Sequence, residues 1–147
     1  MIDFMPAATV ADRERFRCIG LAADPRCAAQ AREEFARWLQ RFFDTDELRM
    51  NDMVLAVNEA LANVAEFAYV LADRPGTMDV QATYSAGDRR LTATVADHGV
   101  WQMPASARAR NRGRGVALMR VLTDRTIIET GPDGTRVQLE WNGVCQS

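Results

Sequence analysis

A two-layer α/β sandwich, with helices on one face of a mostly antiparallel sheet, is the fold class the sequence predicts. Three observations carry that reading. Two early segments space their apolar residues by three and four, which is the helical period. Two later segments alternate apolar and polar residues, the period of a half-buried strand. Short turns rich in Gly, Pro and Asp then join strands in pairs, as hairpins require. No internal repeat or low-complexity linker interrupts the 147 residues, so the chain reads as one domain, 1–147, long enough to bury a core without staples.

Residues 1–14 read as an N-terminal extension. They carry an acidic residue at position 3 and no extended apolar run, so they do not resemble a signal peptide. "RFRCIGLAA" (15–23) reads as a strand. The first helix opens on Asp24 as N-cap with Pro25 at its first position, a well-formed start. Its apolar stripe is Ala28, Ala31, Phe35, Trp38, Leu39 and Phe42. "DTD" ends it, and a second helix runs from about Leu48 to Ala72 along Val54, Val57, Leu61, Val64, Ala68 and Leu71. "DRPG" (73–76) turns the chain into "MDVQATYSAG" and "RLTATVADHG", a hairpin through Ala86-Gly87-Asp88. After the arginine-rich loop "VWQMPASARARNRGRG" come a short helix, "GVALMRVLTD", and a closing hairpin, "RTIIET", "GPDG", "TRVQLEW".

Composition narrows the chemistry. All 18 basic residues are arginine, which removes every mechanism that needs a lysine, from the P-loop to the Schiff base. His98 is the sole histidine, so a Ser-His-Asp or Cys-His site would have to run through it, and no zinc cluster of several histidines can form. Cys18, Cys27 and Cys145 form no CxxC pattern and read as buried free thiols of a cytosolic protein. A net charge of −2, a pI near 5.4 and the lack of interleaved aromatics argue against nucleic acid as a partner for the arginine loop. No apolar run reaches the ~20 residues that cross a bilayer.

Three motifs carry chemistry. In "NEALANVAEFAY" (58–69), Glu59 and Asn63 lie four apart and share a helix face beside Ala56 and Ala60. An Asn oxygen is a hard ligand suited to Mg²⁺, and a carboxylate one turn away can orient or deprotonate a hydroxyl. A plain solvent-facing Glu and Asn would look the same. In "VADHG" (95–99), Asp97 ends an apolar strand, where it can accept from an exocyclic amino group or simply make a turn with Gly99. In "RGRGVALM" (112–119), Gly113 and Gly115 open a helix whose N–H groups favour an anion, with Arg112 and Arg114 as charged donors or as solvated loop residues.

Taken in this order and spacing, the motifs resemble the N, G1 and G2 boxes of the GHKL (Bergerat-fold) ATPases, and more narrowly the RsbW-type anti-sigma factors, which are serine-protein kinases. The resemblance runs from about residue 16 to 141. It implies a cytoplasmic, histidine-kinase-like ATPase domain that binds ATP and Mg²⁺, with Asn63 on the metal and Glu59 as general base on a substrate serine. It implies Asp97 on the adenine amino group, Gly99 making room for the base, and Thr135 nearby through water. Arg112, Gly113, Arg114, Gly115 and Val116 would hold the phosphates, and residues 100–112 would form the lid. The implied partners are a sigma factor, a STAS-type antagonist as phosphorylation substrate, and a second copy of the chain, with no membrane. The alanines beside Glu59 and Asn63 would keep the helix face low for metal and phosphates. Two departures stand out: Phe67 where family members often carry histidine, and Trp101 where many carry glycine. Phe67 supports the alternative of a kinase-inactive ATP-binding or nucleotide-free binding module, while Trp101 reads as packing or as a cover over the nucleotide.

Overall fold

The computed structural model describes residues 9–100 and 113–147. Its strands are β1 (Thr9–Asp12), β2 (Arg15–Ala22), β3 (Thr77–Ser85), β4 (Arg90–Asp97), β5 (Arg125–Gly131) and β6 (Gly134–Trp141). They form one sheet in the order β1-β2-β3-β4-β6-β5, with every neighbouring pair antiparallel. The helices α1 (Pro25–Phe42), α2 (Glu47–Asn63) and α3 (Gly113–Leu122) supply the second layer. The predicted fold class is the observed one. Strict alternation in β3 and β4 turns Met78, Val80, Ala82, Leu91, Ala93 and Val95 toward the helices, and β6 adds Val137, Leu139 and Trp141.

Local chemistry explains the helix starts. Asp24 caps α1 by accepting from the Cys27 N–H at 2.7 Å, and Asp46 does the same for α2 from Arg49. The α1 stripe packs as its spacing predicts. Phe35 and Trp38 meet Phe16 of β2 at ring-centroid distances of 5.8 Å, and Phe43 bridges Trp38 to Tyr84 of β3. Each such pair adds about 0.5–1.5 kcal/mol beyond its buried area. Among the described residues no helix is long and apolar enough to cross a membrane.

The structure departs from the sequence reading in four places. Thr9–Asp12, inside the segment read as an extension, pairs with β2 as an edge strand. All four of its residues are exposed, so no hydrophobic alternation marks it. The second helix stops being α-helical at Asn63 and continues as a π-helical turn, Val64–Ala68. Helical structure ends at Ala68, short of Ala72, and Leu71, placed in the stripe by a 3.6 period, falls in the turn beyond it and is 75% exposed. Ala56 and Ala60 are fully buried members of the core, so their small side chains serve close packing of α2 instead of leaving its face low. Of the three thiols only Cys18 is buried, where burial above all pushes it up to about 11, with Glu34 nearby; Cys145 is exposed.

Candidate functional site

Contacts at one end of the sheet fix where the motifs meet. Arg49, in the first turn of α2, donates to the carbonyl of Asn142 and to Asp124. Trp141, which ends β6, donates its indole N–H to the carbonyl of Leu122 at the end of α3. The start of α2 and the end of α3 therefore sit beside the Leu91–Trp141 pair. Both helices run about 15–25 Å at 1.5 Å per residue. The far end of α2 reaches the opposite end of the sheet, where Asp97 pairs with Thr135, because the Ala68 carbonyl just beyond Asn63 accepts the Val100 N–H.

Asp97 is the centre of that end. It is 4% exposed, and its Oδ1 accepts the backbone N–H of Gly99 at 3.0 Å and of Thr135 at 3.3 Å. Such donors offset the hydration a carboxylate loses on burial. Two glycines allow the geometry. A Cβ on Gly99 would lie 2.1 Å from the carbonyl oxygen of Ala68, and one on Gly134, at φ +142°, would lie 1.9 Å from the carbonyl oxygen of Asp97. The space at Gly99 is thus filled by the end of the π-helical turn, whose Ala68 carbonyl also accepts the Val100 N–H at 2.9 Å. Gly99→Ala is expected to cost about 3 kcal/mol, read as a fall in melting temperature of the unliganded protein. A variant as stable as wild type would show that this approach is not required.

Tyr69 completes the brace. Its hydroxyl donates to the Thr77 carbonyl at 2.5 Å and accepts the His98 N–H at 2.8 Å, tying the exit of β4 to the entry of β3. Burial first, and the Asp97 charge beyond it, hold the phenol above its ordinary range. Tyr69 and Gly134 carry no signature that sequence inspection selects; the first closes a quoted helix and the second reads as a turn glycine. His98 itself points outward, 3.8 Å from Asp79.

Asn63 is 9% exposed, not on a solvent face, and Glu59 is half-buried one turn before it. Among the described residues neither side chain has a hydrogen bond or ion pair, so both are available to a ligand. No cluster of three or more His, Cys, Asp or Glu exists there either. A cation at Asn63 would therefore keep mostly water or phosphate ligands, which is the habit of Mg²⁺. α3 begins at Gly113, two residues before the helix read from Gly115, and Val116 is half-buried against the core. Arg112, Trp101 and nearly all of the 100–112 lid lie outside the described residues, as do the side chains at 113–115. The donor set present, an anchored carboxylate, an amide with a carboxylate one turn away and a helix start, fits a nucleotide with its metal.

A sheet of this order, backed by three helices and ending in this constellation, defines a class of nucleotide-handling domain, the GHKL-type fold. The histidine kinase-like ATPase domain family matches residues 21–141, and the chain belongs to it. Within that class it is similar to an RsbW domain of known structure. The crystal structure of the RsbU and RsbW domains of Rv1364c from Mycobacterium tuberculosis is similar at 25% identity and a TM-score of 0.68. The match covers 86% of this chain and 32% of that one, so this chain spans about a third of the length of that protein.

Proposed function

We propose that the protein is a cytoplasmic anti-sigma factor with ATP-dependent serine kinase activity, phosphorylating a STAS-type antagonist. The observation that carries the reading is the buried Asp97 carboxylate, clamped by two backbone N–H groups at the same sheet end as the Glu59–Asn63 pair. Bound Mg·ATP supplies the phosphoryl group. Asp97 and Thr135 select and orient the base, Gly99 holds β4 against the helix end, and Asn63 contributes an oxygen to the metal. Gly113, Arg114, Gly115 and Val116, with Arg112 before them, offer backbone N–H groups and charge to the phosphates. Glu59 takes the proton of the attacking serine hydroxyl. Since little covalent chemistry falls to the protein, positioning and charge neutralisation do most of the catalysis.

Phe67 supports a second reading, a regulator that binds nucleotide but transfers nothing. It is 3% exposed and packed into the π-helical turn. Incubation with γ-labelled ATP and a co-expressed antagonist decides between them. Label on an antagonist serine supports the kinase; ATP binding without label supports the silent module.

A further inference from the structure

Tyr69 directly follows the π-helical turn, and its hydroxyl makes two bonds of opposite sense. It accepts the His98 N–H at 2.8 Å and donates to the Thr77 carbonyl at 2.5 Å. A hydroxyl can do both, since one oxygen carries a donor and two lone pairs. Burial first, then the Asp97 charge, holds the phenol above its ordinary range, so its proton is in place at neutral pH. The ring lies against the main chain of Gly76, where a Cβ would collide with it. That packing seats the ring without help from the hydroxyl.

The His98 N–H and the Asp97 carbonyl are two ends of one planar peptide unit. Tyr69 grips the N–H end. The carbonyl end abuts Gly134 of β6, where a Cβ would collide with the oxygen. The plane is therefore held from both sides, and the Asp97 Cα sits at one of its corners. Asp97 Oδ1 is committed to the N–H groups of Gly99 and Thr135, so the direction of Oδ2 follows from how that plane is held.

We infer that Tyr69 is a positioning residue for base recognition, acting through the peptide plane between Asp97 and His98 to aim the Asp97 carboxylate at the purine amino group. The inference rests on Asp97 being the acceptor of that group. It makes purine specificity a joint property of β4 and the end of the π-helical turn, whose Ala68 carbonyl also grips Val100. The same turn starts just after Asn63, so the segment leading out of the proposed metal ligand also sets the carboxylate that reads the base. Coupling of this kind is reciprocal. If the phenol strengthens the hold on the amino group, a bound amino group must strengthen the phenol's hold on His98.

A pair of nucleotides separates positioning from general loosening. ATP and purine riboside triphosphate differ only in the amino group, and each is titrated with magnesium against the full chain. The wild type should prefer ATP by at least about tenfold, the worth of one hydrogen bond to a charged acceptor. Tyr69→Phe keeps the ring against Gly76. It should weaken ATP about tenfold and the analogue by no more than about twofold, so the preference collapses. In an Asp97→Asn background, Tyr69→Phe should leave the ratio of the two affinities unchanged. A loss of rigidity alone would weaken both nucleotides alike, so an ATP preference kept in full by Tyr69→Phe overturns the inference. A wild type without any preference for ATP removes Asp97 as the base acceptor, and the inference falls with it. Amide hydrogen exchange reads the same bond in the wild type, with no variant to fold. The His98 N–H should be protected in the free protein, and saturating ATP should slow its exchange further than saturating analogue does. Equal protection with both nucleotides overturns the inference.

Discussion

Asp97→Asn is expected to abolish the stabilisation that Mg·ATP gives while leaving the free protein folded. Asparagine keeps one acceptor oxygen, enough for the N–H groups of Gly99 and Thr135 that Oδ1 now serves, so the turn at the end of β4 survives at a cost of about 1 kcal/mol. Its other atom becomes an NH₂, a donor aimed where the proposed adenine amino group also donates. Losing a bond to a charged acceptor and gaining an opposed donor is worth about 2–4 kcal/mol, or roughly 30- to 1,000-fold in affinity. Ligand at about 100 times its wild-type Kd stabilises by ~2.7 kcal/mol, on the order of 10 °C for a domain of this size. At that same concentration the variant should gain less than about 1 kcal/mol. Thermal melts of both proteins with and without Mg·ATP check it. An equal shift in the variant removes Asp97 from base recognition, and no shift in the wild type moves the protein to a regulator without nucleotide.

Sequence resolved the fold well and the site unevenly, for identifiable reasons. Asp24 and Pro25 announced α1 because capping is a local transaction between neighbours, and β3 and β4 showed themselves because one face of each meets the core. β1 gave no sign, since an exposed edge strand of four residues buries nothing and needs no pattern. The π-helical turn was invisible for a different reason. Val64 and Ala68 stay buried through it, so the stripe runs on as a 3.6 period would have it, and only Leu71, beyond the helix end, falls off. That helix end has a consequence for the site. It is placed so that the Ala68 carbonyl meets Val100 and fills the space beside Gly99. The glycine was noticeable in the sequence; what it accommodates within the protein, a helix end, belongs to the tertiary fold. Tyr69 acts the same way, through backbone groups at Thr77 and His98 that no spacing rule connects.

Glu59→Ala is expected to separate chemistry from binding. The side chain is half-buried and, among the described residues, free of hydrogen bonds and ion pairs, and alanine is the better helix former, so stability should move by no more than about 0.5 kcal/mol. Nucleotide affinity should also hold, because binding in this reading rests on Asp97, Asn63 and the start of α3. A positioned general base contributes about 10²–10⁴-fold, and phosphoryl transfer to the antagonist should fall by that factor. Glu59→Gln should fall as far, since it preserves shape and accepts a hydrogen bond but takes no proton at neutral pH. Asn63→Ala gives the contrast: it should lose transfer together with the magnesium-dependent part of the thermal shift, because the amide oxygen is the metal's proposed protein ligand. Single-turnover transfer from labelled ATP, measured beside the melts, distinguishes the two patterns. Wild-type transfer by Glu59→Ala would take the base role away from this residue. The pairing of a silent Glu59 with a magnesium-sensitive Asn63 would still leave the end of α2 as the phosphate side of the site, since the amide's role does not depend on the carboxylate's.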